Sequence, residues 1–204
     1  MYFCNVKPAI MDFKQRYISL FLDIKYLILE PKKFWHHRKP DTLPANAVTQ
    51  VFLPLVVPVG LAVFLGEVIN RPEILWSFAV FKGIREMVSY SLQLLVAVPV
   101  LAVLLKNFGG TPNRKTVTVV LVYTLVPFLL VSLITGIFHA LYIVSIAGLY
   151  GFYLFALGAL DILEIPTENQ SRYVILAILL MILIFGLVNI LCWRLFHAFF
   201  PYGA

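Results

Sequence analysis

Five long stretches of this 204-residue chain contain no Lys, Arg, Asp or Glu. Charged residues make up 13% of the whole, about half the share of a soluble domain. Hydrophobic residues make up 61%. A chain this short cannot hide so much apolar surface in one water-soluble core. Cysteine is almost missing. Only Cys4 and Cys192 occur, in no Cys-x-x-Cys pair and no metal-ligand spacing. Also lacking are a phosphate-cradling Gly-rich loop, a nucleophile–base pair and a His/Cys cluster. These absences argue against an enzyme, and no cofactor or metal is expected. His36 and His37 are adjacent and point apart on a helix, which is poor chelate geometry. No Arg-rich run is interleaved with aromatics, so nucleic acid is not expected as a partner. The apolar stretch from Tyr17 to Leu29 is broken by Asp23 and Lys25, and no small-residue cleavage site follows, so it does not read as a signal peptide.

What is present points to lipid as the solvent. A helix needs about 20 mostly apolar residues to cross the hydrocarbon core. The uncharged stretches at about 48–66, 88–105, 117–138, 141–160 and 173–191 each meet that length. A charge at mid-depth costs at least about 3 kcal/mol, so its absence from all five is informative. The expected fold is all-α: an integral membrane bundle of five transmembrane helices over residues 48–204. An amphipathic interfacial segment over residues 1–47 precedes it. There, Phe13 to Leu29 mix apolar and charged residues as a surface-lying helix does. The helix should end at Glu30, because Pro31 disfavours helix in the residue before it. Pro31 in turn suits the first turn of a second short helix, Pro31 to Arg38.

The connections carry further expectations. Only His139 and Ala140 separate the third and fourth spans, which predicts a tight antiparallel hairpin. The stretch from Lys106 to Lys115 holds Gly, Pro and Asn and reads as a turn, with Thr116 capping the third span. Ser171 is the candidate cap of the fifth. The link from Glu67 to Met87 reads as a separate interfacial helix with Trp76 at headgroup depth.

Orientation follows from Lys and Arg near span ends. Eight of the sixteen lie before residue 40: Lys7, Lys14, Arg16, Lys25, Lys32, Lys33, Arg38 and Lys39. With the N-terminus cytoplasmic, twelve fall inside and four outside. The N-terminus is therefore expected in the cytoplasm and the C-terminus outside. Cys4 and Cys192 would then lie on opposite sides, and no disulfide is expected.

Three phrases occur in order along this layout. They are Glu30-Pro31-Lys32-Lys33-Phe34-Trp35, then Tyr123-Thr124-Leu125-Val126-Pro127-Phe128, then Leu149-Tyr150-Gly151-Phe152-Tyr153-Leu154 with Ala156-Leu157-Gly158. Together with the five spans, they resemble the Yip family of Ypt/Rab-interacting five-pass membrane proteins, in its short prokaryotic form. The resemblance covers about residues 25 to 195. It implies a five-helix membrane domain with a cytoplasmic N-terminus, in the plasma membrane of a prokaryote. In eukaryotic relatives it implies vesicle traffic and contact with small GTPases. The segment before the first span is shorter here, about 47 residues, so the resemblance carries the fold and not that role.

Candidate functional residues fall into two sets. Lys32, Lys33, Arg38 and Lys39 form a juxtamembrane basic cluster, which attracts anionic headgroups. Phe34 and Trp35 are expected beside it as interfacial anchors. The second set, Gln93, Tyr123, Tyr150 and Tyr153, is polar at membrane depth. It would line a solute path in one reading and bond helix to helix in the other. At span ends, Glu67 and Arg71 have i, i+4 spacing and His139 falls at the same surface. Asp161, Glu164 and Glu168 cluster in the last connector, where solvation is the expected role. Pro54, Pro58, Pro99 and Pro127 interrupt the spans. Ala62 and Gly66, Gly136 and Ala140, and Ala147 and Gly151 are each four apart, a spacing that lets helices approach closely within a monomer or across a homodimer. Two functions remain open. One is a membrane scaffold or adaptor that binds lipids, a second copy of the chain, or other membrane proteins. The other is a small-solute or ion transporter with a path between the second, third and fourth spans.

Overall fold

A computed structural model of the protein describes residues 13–37, 46–70, 76–111 and 113–199. Among these residues the chain is all-helical, with no strand. Two N-terminal helices come first, α1 (Phe13–Leu29) and α2 (Pro31–His37). A π-helical turn, Val48–Phe52, leads into α3 (Leu53–Asn70). Then come α4 (Trp76–Asn107), α5 (Arg114–Ile137), a 3-10 helix His139–Leu149 continuing as α6 (Tyr150–Ile162), and α7 (Gln170–Phe199). Five of these helical segments are long and apolar enough to cross a membrane. The chain is an integral multi-pass membrane protein.

Helix α5 is the centre of the bundle. Its residues from Val119 to Pro127 are all buried, so it has no outward face over more than two turns. Helices α3, α4 and α6 pack around it, while α7 packs mainly on α4. At 24 residues, α5 is about 36 Å long, enough to cross a hydrocarbon core of about 30 Å.

Glycine sets how closely the helices approach. A Cβ on Gly66 of α3 would lie 1.7 Å from the carbonyl oxygen of Gly136 in α5. One on Gly83 of α4 would lie 2.6 Å from the carbonyl oxygen of Gly60 in α3. One on Gly151 of α6 would lie 2.3 Å from that of Thr124 in α5. The spaced small residues Ala62, Gly66, Gly136 and Gly151 thus close up the monomer. Ala140 and Ala147 are exposed instead.

Several expectations are corrected. No separate interfacial helix precedes the second span, because Trp76 to Met87 form the first turns of α4. Gly83 does not break this helix and is the point where α4 crosses α3. Thr116 does not cap α5. Asn113 does, its side chain accepting from the Lys115 amide at 3.1 Å. Ser171 lies inside α7 rather than at its cap. The hairpin between α5 and the next helix is tight, pivoting on Phe138. The helix that leaves it begins as a 3-10 helix of 11 residues, unusually long for that geometry. Nothing in the sequence marks that change of winding.

Candidate functional site

The basic segment divides cleanly into two faces. Lys32 and Lys33 are exposed on α2. Lys33 pairs with Glu30 at 2.7 Å, and that hydrogen bond, with the attraction between the two charges, holds the Lys33 ammonium above its usual pKa. Because the folded pKa is raised, the pairing is fully present at neutral pH and is lost only as pH rises through the lysine range. Arg38 and Lys39 lie outside the described residues.

Phe34 and Trp35 are not interfacial anchors. They are 1% and 0% exposed, which corrects the sequence reading. Trp35 lies 5.7 Å from the ring of Tyr123 and Phe34 lies 5.2 Å from it, both edge-on. Tyr123 is nine residues from Arg114, about 14 Å along α5. On the other side, Trp35 rests on Gly158, where a Cβ would come within 2.9 Å of the indole ring. Gly158 leaves the socket that takes Trp35, and Phe34 packs beside it on Tyr123. Their large apolar area is worth more buried than half-wet. The Tyr150 hydroxyl adds a second tie, donating to the carbonyl of Ile28 in α1 at 3.1 Å.

The four candidate path residues do not meet in one channel. Tyr123 is enclosed by Phe34 and Trp35. Gln93 is buried within α4 and donates to Ser89 at 3.4 Å. Tyr150 faces α1, and Tyr153 is exposed beside it with ring centroids 5.5 Å apart. The Tyr150 hydroxyl ties α6 to α1, and the Gln93 amide bonds within its own helix.

A cavity of about 630 Å³ opens between α1, α3 and α5. Leu20, Phe21, Ile24, Pro54, Pro58 and Leu130 line it, and Lys25 is the charged side chain on its wall. Sequence reading missed it, since no periodicity announces a gap between helices.

A second polar cluster lies at the far end of α3. Glu67 is 4% exposed and pairs with Lys82 of α4 and, at 3.3 Å, with His139. The sequence suggested the approach of Glu67 and His139 but not Lys82. Arg71 lies outside the described residues. Nearby, Asn70 donates to the carbonyls of Gly66 and Ile137, at 2.7 and 3.0 Å, which fastens α3 to the end of α5. Glu67→Ala is expected to lower stability by about 2 kcal/mol, because Lys82 and His139 lose a shared acceptor. Thermal unfolding in detergent measures it, and an unchanged midpoint would refute it. In the last connector, Glu164 accepts from Thr111 at 2.9 Å. Among the described residues no three His, Cys, Asp or Glu side chains gather as a metal site.

A family model of the Yip1 domain matches residues 25–190. The chain belongs to the Yip1 domain family. The match begins inside α1 and ends inside α7, so it takes in α2, its socket at Gly158 and all of the central helix α5. This Yip1-domain protein therefore carries its N-terminal hairpin as part of the family domain. No curated protein and no solved structure matched the chain.

Proposed function

We propose that this Yip1-domain protein is a membrane scaffold or adaptor. It sits in the plasma membrane of a prokaryote with its N-terminus cytoplasmic and its C-terminus outside. Its α1–α2 hairpin presents Lys32 and Lys33 to anionic headgroups, while Phe34 and Trp35 hold that hairpin on the bundle. The apolar cavity beside α1 suits an acyl chain. The observation that favours a scaffold over a transporter is the burial of α5 from Val119 to Pro127 on every side. A solute path between the second, third and fourth spans would need a water-lined face on this helix.

A cysteine scan on a Cys-free background tests the reading, using a membrane-impermeant thiol reagent. Gln93→Cys and Tyr150→Cys should stay unlabelled in intact membranes, while Lys33→Cys labels from the cytoplasmic side. Labelling of Gln93→Cys would place water at mid-depth and overturn the scaffold reading. Labelling of Lys33→Cys from outside would overturn the orientation.

A further inference from the structure

Helix α7 is the least enclosed of the five spans, with 22% of its most apolar window buried against 61% for α5. Its inward face is Tyr173, Ala177, Met181, Ile184, Val188 and Cys192, all buried. Its outward face includes a second row: Ile175, Leu179, Ile182, Gly186, Asn189 and Trp193. All six are exposed. They are spaced by four, three, four, three and four residues, the heptad spacing of a seam between two helices. Lipid alone would solvate the apolar members of this row.

Two members are not large apolar side chains. The Asn189 side chain has no hydrogen-bond partner among the described residues. Its depth is set by Phe185, whose ring lies 5.9 Å from that of Phe128, nine residues or about 14 Å before the Ile137 end of α5. Asn189 is one turn further on, about 6 Å along α7. An unpaired primary amide at that depth is strongly disfavoured, because hydrocarbon offers it no partner. Gly186 is the other. Gly66, Gly83 and Gly151 are each explained by a neighbouring backbone, but a Cβ on Gly186 would meet nothing within 4 Å. Within one copy of the chain, neither residue has a packing reason.

We propose that this row is a homodimer seam, along which α7 of one copy packs in parallel against α7 of a second. Insertion in a membrane gives both copies the same orientation. A twofold axis along the membrane normal then brings each seam residue to its own counterpart at equal depth. A carboxamide carries both a donor and an acceptor, so two Asn189 side chains satisfy each other. Gly186 lets the two backbones approach just below that bond. The heptad spacing sets a left-handed crossing of about 20°. A second copy is the occupant because it supplies a matching amide at the matching depth by symmetry. This deepens the scaffold reading by naming a partner, and it rests on the outer face of the bundle rather than on a dry interior.

The test is oxidative cross-linking of the full chain in membranes, with native cysteines replaced by serine. Leu179→Cys and Ile182→Cys should give disulfide-linked dimers. Leu187→Cys is equally exposed but lies off the seam, and it should give few. In purified protein in vesicles, Asn189→Leu should weaken dimerisation about fivefold, the scale of one interhelical hydrogen bond in a membrane. Asn189→Gln should restore it, and thermal unfolding of the monomer should not change. Equal cross-linking at residues 182 and 187, or an Asn189→Leu variant that dimerises as before, would overturn the seam. A cross-linked product with the mass of a different protein would overturn the choice of partner. Labelling of Gln93→Cys sinks the scaffold reading and leaves the seam standing, so the two failures are distinguishable.

Discussion

Gly66→Ala should cost about 3 kcal/mol, near the top of the usual range for overpacking. For a chain of this size that corresponds to a midpoint about 6–12 °C lower in a thermal melt. The added methyl would lie 1.7 Å from the backbone oxygen of Gly136, and the next contacts, at 2.8 and 3.2 Å, are backbone too. No side-chain rotation relieves such a clash. Helix α3 must move off α5, and that movement strains the Gly60–Gly83 crossing with α4. Gly186→Ala is the matched control, because it meets nothing in its own chain. In monomeric protein it should be neutral or slightly stabilising, since alanine is the better helix former. Equal losses at the two positions would show that glycine flexibility, and not helix approach, governs stability.

Trp35→Ala should cost about 3–5 kcal/mol, the range for emptying a fully buried large aromatic site. The indole nitrogen makes no hydrogen bond among the described residues, so the loss is one of packing. Its second expected effect is local. Helix α2 loses its plug between α5 and α6, and hydrogen exchange should quicken in Pro31–His37 before it does in α5. Gly158→Leu should give the same signature by filling the socket from the other side. The double variant should cost less than the sum of the singles, because both changes break one contact. Strict additivity, or unaltered exchange in α2, would refute the socket.

The five spans were legible because lipid imposes a simple rule: an uncharged run of sufficient length must be a helix. The break before Pro31 was legible for a similar reason, since it is a local backbone constraint. The placement of Phe34 and Trp35 was not. A basic segment with two aromatics reads the same whether the rings face headgroups or a bundle. What decides is Gly158, more than 120 residues away, and a single sequence does not announce that pairing. The link after α3 misled because its charges resemble those of a surface helix. In the structure Lys82 turns inward to Glu67 instead. Which side of α7 Asn189 faces emerges only once the buried row from Tyr173 to Cys192 is known.

The contacts of the N-terminal hairpin also order events during synthesis. Ile28 waits for Tyr150, its partner 122 residues later. At roughly 5–20 residues per second, translation takes on the order of 6–24 s to supply that partner. During that interval Phe34 and Trp35 have emerged without their socket. The hairpin thus locks only after α6 has been made, and a nascent chain stalled before α6 would display two bare aromatic rings to the quality-control machinery of the cell.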